Sequence, residues 1–129
     1  MTPEEIARVE GIIDEATSSD EFATRFYTDL FVLAPETKAM FPDLDAQREK
    51  LRDELASLGH LIRNHDQLEI EATALGARHR GYGVRAAHYR LARSAMETAL
   101  AETLGDRFGP AELAAWRQAY DVIAELMQA

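Results

Sequence analysis

The chain has no cysteine among its 129 residues. That single absence removes disulfides, thiolate metal sites, iron–sulfur clusters and cysteine nucleophiles together. Basic residues are in deficit, 14 Lys and Arg against 23 Asp and Glu, for a net charge of −9. Nucleic-acid phosphates would repel such a chain unless a basic patch compensated, and none is present. In Arg48-Glu49-Lys50-Leu51-Arg52-Asp53-Glu54 the signs alternate as on a solvated helix face. No apolar run reaches the length of a membrane span. Met1-Thr2-Pro3-Glu4-Glu5 also lacks the basic-then-apolar layout of a signal peptide. The expectation is a soluble cytoplasmic protein without nucleic-acid or membrane partners. With four prolines and seven glycines, few breaks interrupt the secondary structure.

What is present is helical periodicity. No segment alternates as a half-buried strand does. Thr2, Pro3 and Glu5 supply a cap, a first-turn proline and a capping-box glutamate. Ile6, Val9, Ile13 and Ala16 then form one stripe. After the restart at Ser18-Ser19-Asp20-Glu21, two stripes share the second helix: Phe22, Phe26, Leu30 and Leu33, and beside them Ala23, Tyr27, Phe31 and Ala34. A helix this apolar packs on more than one side and runs through the middle of the molecule.

Pro35 opens a turn ending at Phe41-Pro42. Asp43 or Asp45 then caps a helix carrying Gln47, Leu51, Leu55, Leu58 and Ile62 on one face. Asn64-His65-Asp66 separates it from a helix lined by Leu68, Ala72, Leu75 and His79. Gly81 and Gly83 end that one. The pattern next predicts a long helix over 86–104 with Tyr89, Ala92, Met96, Leu100 and Thr103 inward. A last helix opens at Pro110 and turns Leu113, Trp116, Tyr120, Ile123 and Met127 inward. The fold class is all-α.

His79 carries the chemical question. It follows Leu75 by four, Ala72 by seven and Leu68 by eleven, so it shares the inward stripe while Arg78 and Arg80 flank it. A histidine that only capped the helix dipole would have no reason to face the core. Two readings remain open: a core histidine hydrogen-bonded to a neighbour, or a metal ligand. The other histidines weigh on the second. His60 lies opposite its helix's apolar stripe, His65 sits in a polar break, and His88 is expected at the surface or a rim. No second histidine shares a face with His79, which argues against a multi-histidine zinc or di-metal site. One inward nitrogen suits a metal whose other ligands come from a cofactor, as in haem. Gln47 adds a polar group on an inward face, where an unpaired amide is costly; its local alternative is capping its own helix.

The runs FYTDLFVLAPETKAMF (26–41), QREKL (47–51), ARHRGYGVRAAHY (77–89) and AAWRQAY (114–120) together resemble bacterial single-domain globins and the globin domain of flavohaemoglobins. The resemblance spans essentially the whole chain. It implies a globin fold of about six to seven helices around a haem pocket, in one domain over residues 1–129. It also implies haem b (iron protoporphyrin) as cofactor and dioxygen, nitric oxide or carbon monoxide as ligands. By the same resemblance His79 is the proximal iron ligand, Phe41 packs on the porphyrin, and Tyr27 and Gln47 are the distal residues. Leu51 closes the pocket above the iron and Val84 walls the proximal side. Lys50, Arg85 and His88 are candidates for neutralising the haem propionates. Each position has a plainer alternative: Tyr27, Phe41, Leu51 and Val84 as ordinary core, Lys50, Arg85 and His88 as surface polar groups.

Two departures from the flavohaemoglobin pattern matter. No flavin or nicotinamide segment follows within these residues, so sustained nitric oxide turnover is expected to need a separate reductase. Tyr89 matches the proximal tyrosine of that family, but its glutamate partner has no counterpart, since Glu125 comes too early. Reversible gas binding is therefore expected ahead of peroxidase-like or efficient dioxygenase chemistry. Competing expectations are a haem-based gas or redox sensor and a cofactor-free interaction module of globin shape.

Overall fold

Three of the helices start at a side-chain cap that the sequence supplies, Thr2, Asp43 and Asn64. In the computed structural model, which describes residues 1–129, Thr2 Oγ1 accepts from the Glu5 amide at 3.1 Å and Glu5 answers from the Thr2 amide at 2.9 Å. Helix α1 runs Pro3–Thr17 and α2 Glu21–Leu33. A 3₁₀ turn over Pro35–Met40 leads to α3, Leu44–Leu61. Asp43, not Asp45, caps α3 through the Ala46 amide. Asn64 caps α4, His65–Gly81, through Gln67. Helix α5 spans Ala86–Leu104, a second 3₁₀ turn Gly105–Arg107, and α6 Pro110–Gln128. Gly83 has φ +91° in the turn after α4, a conformation that side chains with a Cβ rarely adopt.

Helix α2 lies at the centre, as its double stripe predicts. Phe22, Ala23, Phe26, Tyr27 and Leu30 are buried along it. The partner surface on α5 presents Ala95 and Ala99, and small residues at these contacts let two helices approach closely. The main core joins α1, α2, α5 and α6 through Val9, Ile13, Phe26, Leu100 and Trp116. A smaller core of Leu58, Leu68, Ala72, Leu75 and Met127 seats α4 on α6 and the end of α3. Between the two cores a gap is left beside α3 and α4.

Two expectations need correcting. Leu33 does not continue the α2 stripe inward: it is 46% exposed, because the helix ends there and the chain turns at Pro35. His88 is not at the surface: it is 7% exposed. Its Nδ1 accepts from the Arg85 amide at 3.0 Å at the start of α5, and its Nε2 lies 3.5 Å from Glu36 of the 3₁₀ turn. Packing against that turn buries it, which the period of α5 alone does not reveal.

Surface ion pairs tie the helices together. Asp20 meets Arg48 at 3.2 Å and Arg52 at 3.1 Å, and Glu97 meets Arg117 at 2.8 Å and Arg93 at 3.1 Å. Such exposed pairs contribute about 0–1 kcal/mol each. Asp29 on α2 is different. Its Oδ2 is buried without a partner, and desolvation together with the nearby Glu102 carboxylate of α5 pushes its carboxyl up to about 6. The folded state therefore holds a proton that the unfolded chain releases nearer pH 4. Stability from this site is full at low pH and is lost as pH rises through about 6. Asp29→Asn is expected to raise the melting temperature at pH 7 and to weaken its dependence on pH between 4 and 7. Thermal unfolding across that range checks it; an unchanged slope with a lower melting temperature would contradict it.

Candidate functional site

The gap beside α3 and α4 is a cavity of about 550 Å³, within the range of small-molecule and cofactor pockets. Twenty-two of its 32 lining residues are hydrophobic, so a ligand here must be largely apolar. The polar groups that reach it are few and fall on opposite sides.

On the α4 side stands His79. Its Nδ1 lies 2.9 Å from the Leu75 carbonyl oxygen one turn earlier. A carbonyl only accepts, so Nδ1 carries the hydrogen and donates. Burial lowers the imidazole's pKa, opposed by that bond and by Glu54, while the Arg78 charge lowers it further. The ring is then neutral at pH 7, with an unprotonated Nε2 that has no partner in the protein. This is the arrangement of a metal-binding imidazole, one nitrogen tied back and the other free. Tyr89 lies beside it, ring centres 6.4 Å apart and planes at 27°. The Tyr120 hydroxyl donates to the Tyr89 carbonyl at 2.6 Å and anchors the start of α5 to α6.

Facing this, Gln47 Nε2 donates to Tyr27 Oη at 3.0 Å. Gln47 thus spends its amide on Tyr27 and does not cap α3. Burial pushes the Tyr27 phenol up to about 12, the bond from Gln47 opposing. The hydroxyl therefore keeps its hydrogen, for which the protein provides no acceptor. Phe41 meets Tyr27 edge-on at 5.2 Å, and Phe26 does so at 4.9 Å. Aromatic contacts of this kind contribute about 0.5–1.5 kcal/mol each beyond area burial, and they fix where the hydroxyl sits.

The cavity brings together Tyr27, Phe41, Gln47, Lys50, Leu51, His79, Val84, His88 and Tyr89, the residues singled out from the sequence. Arg85 is the exception: it is exposed and does not line the cavity. Arg78 does line it, paired to Glu54 at 2.9 Å across the rim between α3 and α4. Sequence reasoning set Arg78 aside as a solvent-facing flank of His79. Its place next to the inward histidine was the available signal. Thr37 and Met40 of the 3₁₀ turn also line the cavity, although nothing in the sequence marked them.

The structure has no group of three or more His, Cys, Asp or Glu side chains able to hold a metal. His79 alone cannot retain an ion. The donor set fits a metal that brings its own equatorial ligands in a flat, apolar frame, and the cavity's greasy walls fit that frame.

An all-helical fold around a buried pocket with one free imidazole and opposed hydroxyl and amide donors defines a globin-like class. The comparisons agree. The Globin family pattern matches residues 24–127, and the chain belongs to the globin family. It is 30% identical over 113 residues to an anaerobic nitrite reductase of Oryza sativa subsp. indica, covering 82% of this chain and 78% of that protein. It is 32% identical over 110 residues to a flavohemoprotein of Bacillus cereus. That match covers 81% of this chain but only 27% of the flavohemoprotein, so the chain spans about a quarter of that relative. Among solved structures it is similar to an engineered carbene transferase of Rhodothermus marinus, described as a candidate nitric oxide dioxygenase. The TM-score is 0.86 at 25% identity, covering 99% of this chain and 91% of that one. A Pseudomonas aeruginosa PAO1 protein, described as structurally highly homologous to a human hemoglobin, gives 0.84 at 26% identity, covering 96% and 95%. The family implies haem. No helix is long and apolar enough to cross a membrane.

The tautomer of His79 is directly testable. Nitrogen-15 NMR of the cofactor-free protein at pH 7 is expected to show a neutral ring, protonated at Nδ1 and bare at Nε2. A ring protonated at Nε2 would contradict the assignment.

Proposed function

We propose that the chain is a haem b globin that reversibly binds dioxygen and other diatomic gases, nitric oxide and carbon monoxide among them. The observation that carries this reading is the free Nε2 of His79 facing, across an apolar cavity, a phenol hydrogen that no protein atom accepts. When bound, the cofactor would supply an iron able to bind a gas. His79 would hold that iron from the α4 side. Its Nδ1–H bond to Leu75 keeps the ring in the tautomer that ligation needs and fixes its orientation. Phe41, Leu51 and Val84 wall the cofactor and exclude water. Lys50 and Arg78 stand at the rim, where cations would meet its carboxylates.

On the opposite side Tyr27 donates from a fixed position. Because Gln47 already donates to its oxygen, the hydroxyl is polarised and directs its own hydrogen elsewhere. A charge-assisted hydrogen bond in a dry pocket contributes about 1–3 kcal/mol. It favours the ligand on which most negative charge builds, so dioxygen gains more than carbon monoxide. We place the protein in the cytoplasm, where such gases diffuse freely.

The relatives' names support a second reading within the same site: oxidation of nitric oxide to nitrate by dioxygen, or reduction of nitrite to nitric oxide and water, each taking one electron per turnover from a separate reductase. Here the same donors would steady charge on the reacting gas or anion. The sensor and the cofactor-free interaction readings have no observation of their own in this fold.

Tyr27→Phe tests the proposal. It removes the donor and keeps the ring, so dioxygen should leave about 10–100-fold faster, by the factor of ten that each ~1.4 kcal/mol represents. Carbon monoxide release should change less. Stopped-flow release of both gases checks this, and equal changes for the two would contradict it.

A further inference from the structure

The last turn of α6 meets α4 on both sides of His79 in sequence. Three residues before it, Gly76 is buried against the α6 backbone: a Cβ there would sit 1.9 Å from the Met127 carbonyl oxygen and 2.6 Å from its carbon. Only the missing side chain allows this approach. One residue after His79, the Arg80 guanidinium donates to that same Met127 oxygen at 3.1 Å. The carbonyl belongs to the C-terminal end of α6, where acceptors lack helical partners and the dipole is negative, so a cation is well matched there. One carbonyl thus holds α4 at two points four residues apart, with the imidazole between them.

Two such points fix more than a distance. Gly76 sets how near α4 comes to α6. Arg80, four residues on and so about 40° round on the same face, ties the next turn of α4 to that same oxygen, so that turning the helix about its axis would break this bond. Rotation of α4 is the movement that would swing Nε2 of His79 across the cavity. The bond from Nδ1 to Leu75 cannot prevent it, because Leu75 belongs to the same helix and turns with it.

We propose that Gly76 and Arg80 are positioning residues for His79: through the Met127 carbonyl they lock the rotation of α4 and so set the direction and strength of the imidazole's bond to the haem iron. The inference rests on the haem reading above. It differs from simple helix docking because it predicts a change in the bond made by His79 and not merely in stability.

The experiment compares haem-loaded wild-type protein with Arg80→Ala, Arg80→Lys and Gly76→Ala. Arg63→Ala serves as control, since it removes an ion pair with Glu10 far from the site. The readouts are the iron–histidine stretching band of the ferrous protein and the rate of haem loss. Arg80→Ala should shift and broaden the band. It should also speed haem loss about tenfold, the lower end of what outer partners of a metal-bound histidine command. Arg80→Lys, which can still donate to the carbonyl, should restore both toward wild type. Gly76→Ala should change them at least as much where it folds; Arg80→Ala, which adds no bulk, decides the matter if it does not. Arg63→Ala should lower the melting temperature and leave the band in place. An Arg80→Ala protein that is merely less stable, with an unmoved band and unchanged haem loss, overturns the inference. Wild-type protein that takes up no haem overturns the functional reading instead, so the two failures are separable.

Discussion

The site depends on one hydrogen bond, from His79 Nδ1 to the Leu75 carbonyl. The Leu75 carbonyl, inside α4, has a second lone pair to offer beside its place in the helix, and the imidazole takes it. The consequence is chemical as well as geometric. With Nδ1 protonated and the ring desolvated, the remaining nitrogen presents an unshared pair to a cavity that water would gain little by filling. A lone ligand of this kind is of no use to a bare ion. It becomes useful only when a cofactor supplies the remaining ligands, and the apolar walls of α3, α4 and α5 accept a cofactor of that kind.

The opposite wall follows a complementary logic. Gln47 and Tyr27 come from different helices, and their bond at 3.0 Å makes a single directed donor out of two groups that are each costly to bury. Aromatic neighbours hold it in place. The pocket therefore has an electron-donating side and a hydrogen-donating side, and this asymmetry lets a gas that accumulates negative charge be held preferentially. Membership of the globin family and likeness to proteins named for nitrite and nitric oxide chemistry are consistent with that asymmetry.

Much of this was legible before any coordinates. The cap at Thr2, the break at Asn64, the inward stripes of α2 and α4, and the bounds of α5 all follow from local rules, because period and capping chemistry act within a few residues. His79 was legible as inward because its own helix carries three aligned apolar residues. Contacts made across the fold were harder to read. His88 is buried by a turn fifty residues earlier, and Arg78 reaches the cavity only because α3 offers Glu54 at the right height. The proton held near Asp29 depends on Glu102 of α5, and the docking of Gly76 on Met127 joins segments that local pattern does not connect. Leu33 erred in the opposite direction: its stripe is real, but the helix ends before the core reaches it.

The claim on which the rest hangs is that Nε2 of His79 binds a haem iron. Adding haem to the cofactor-free protein and to His79→Gly, with and without free imidazole, tests it most directly. The account predicts a one-to-one complex with a strong Soret band for wild type, a weak and altered spectrum for His79→Gly, and recovery when imidazole fills the vacated space. A His79→Gly protein whose haem spectrum matches wild type without imidazole would contradict it.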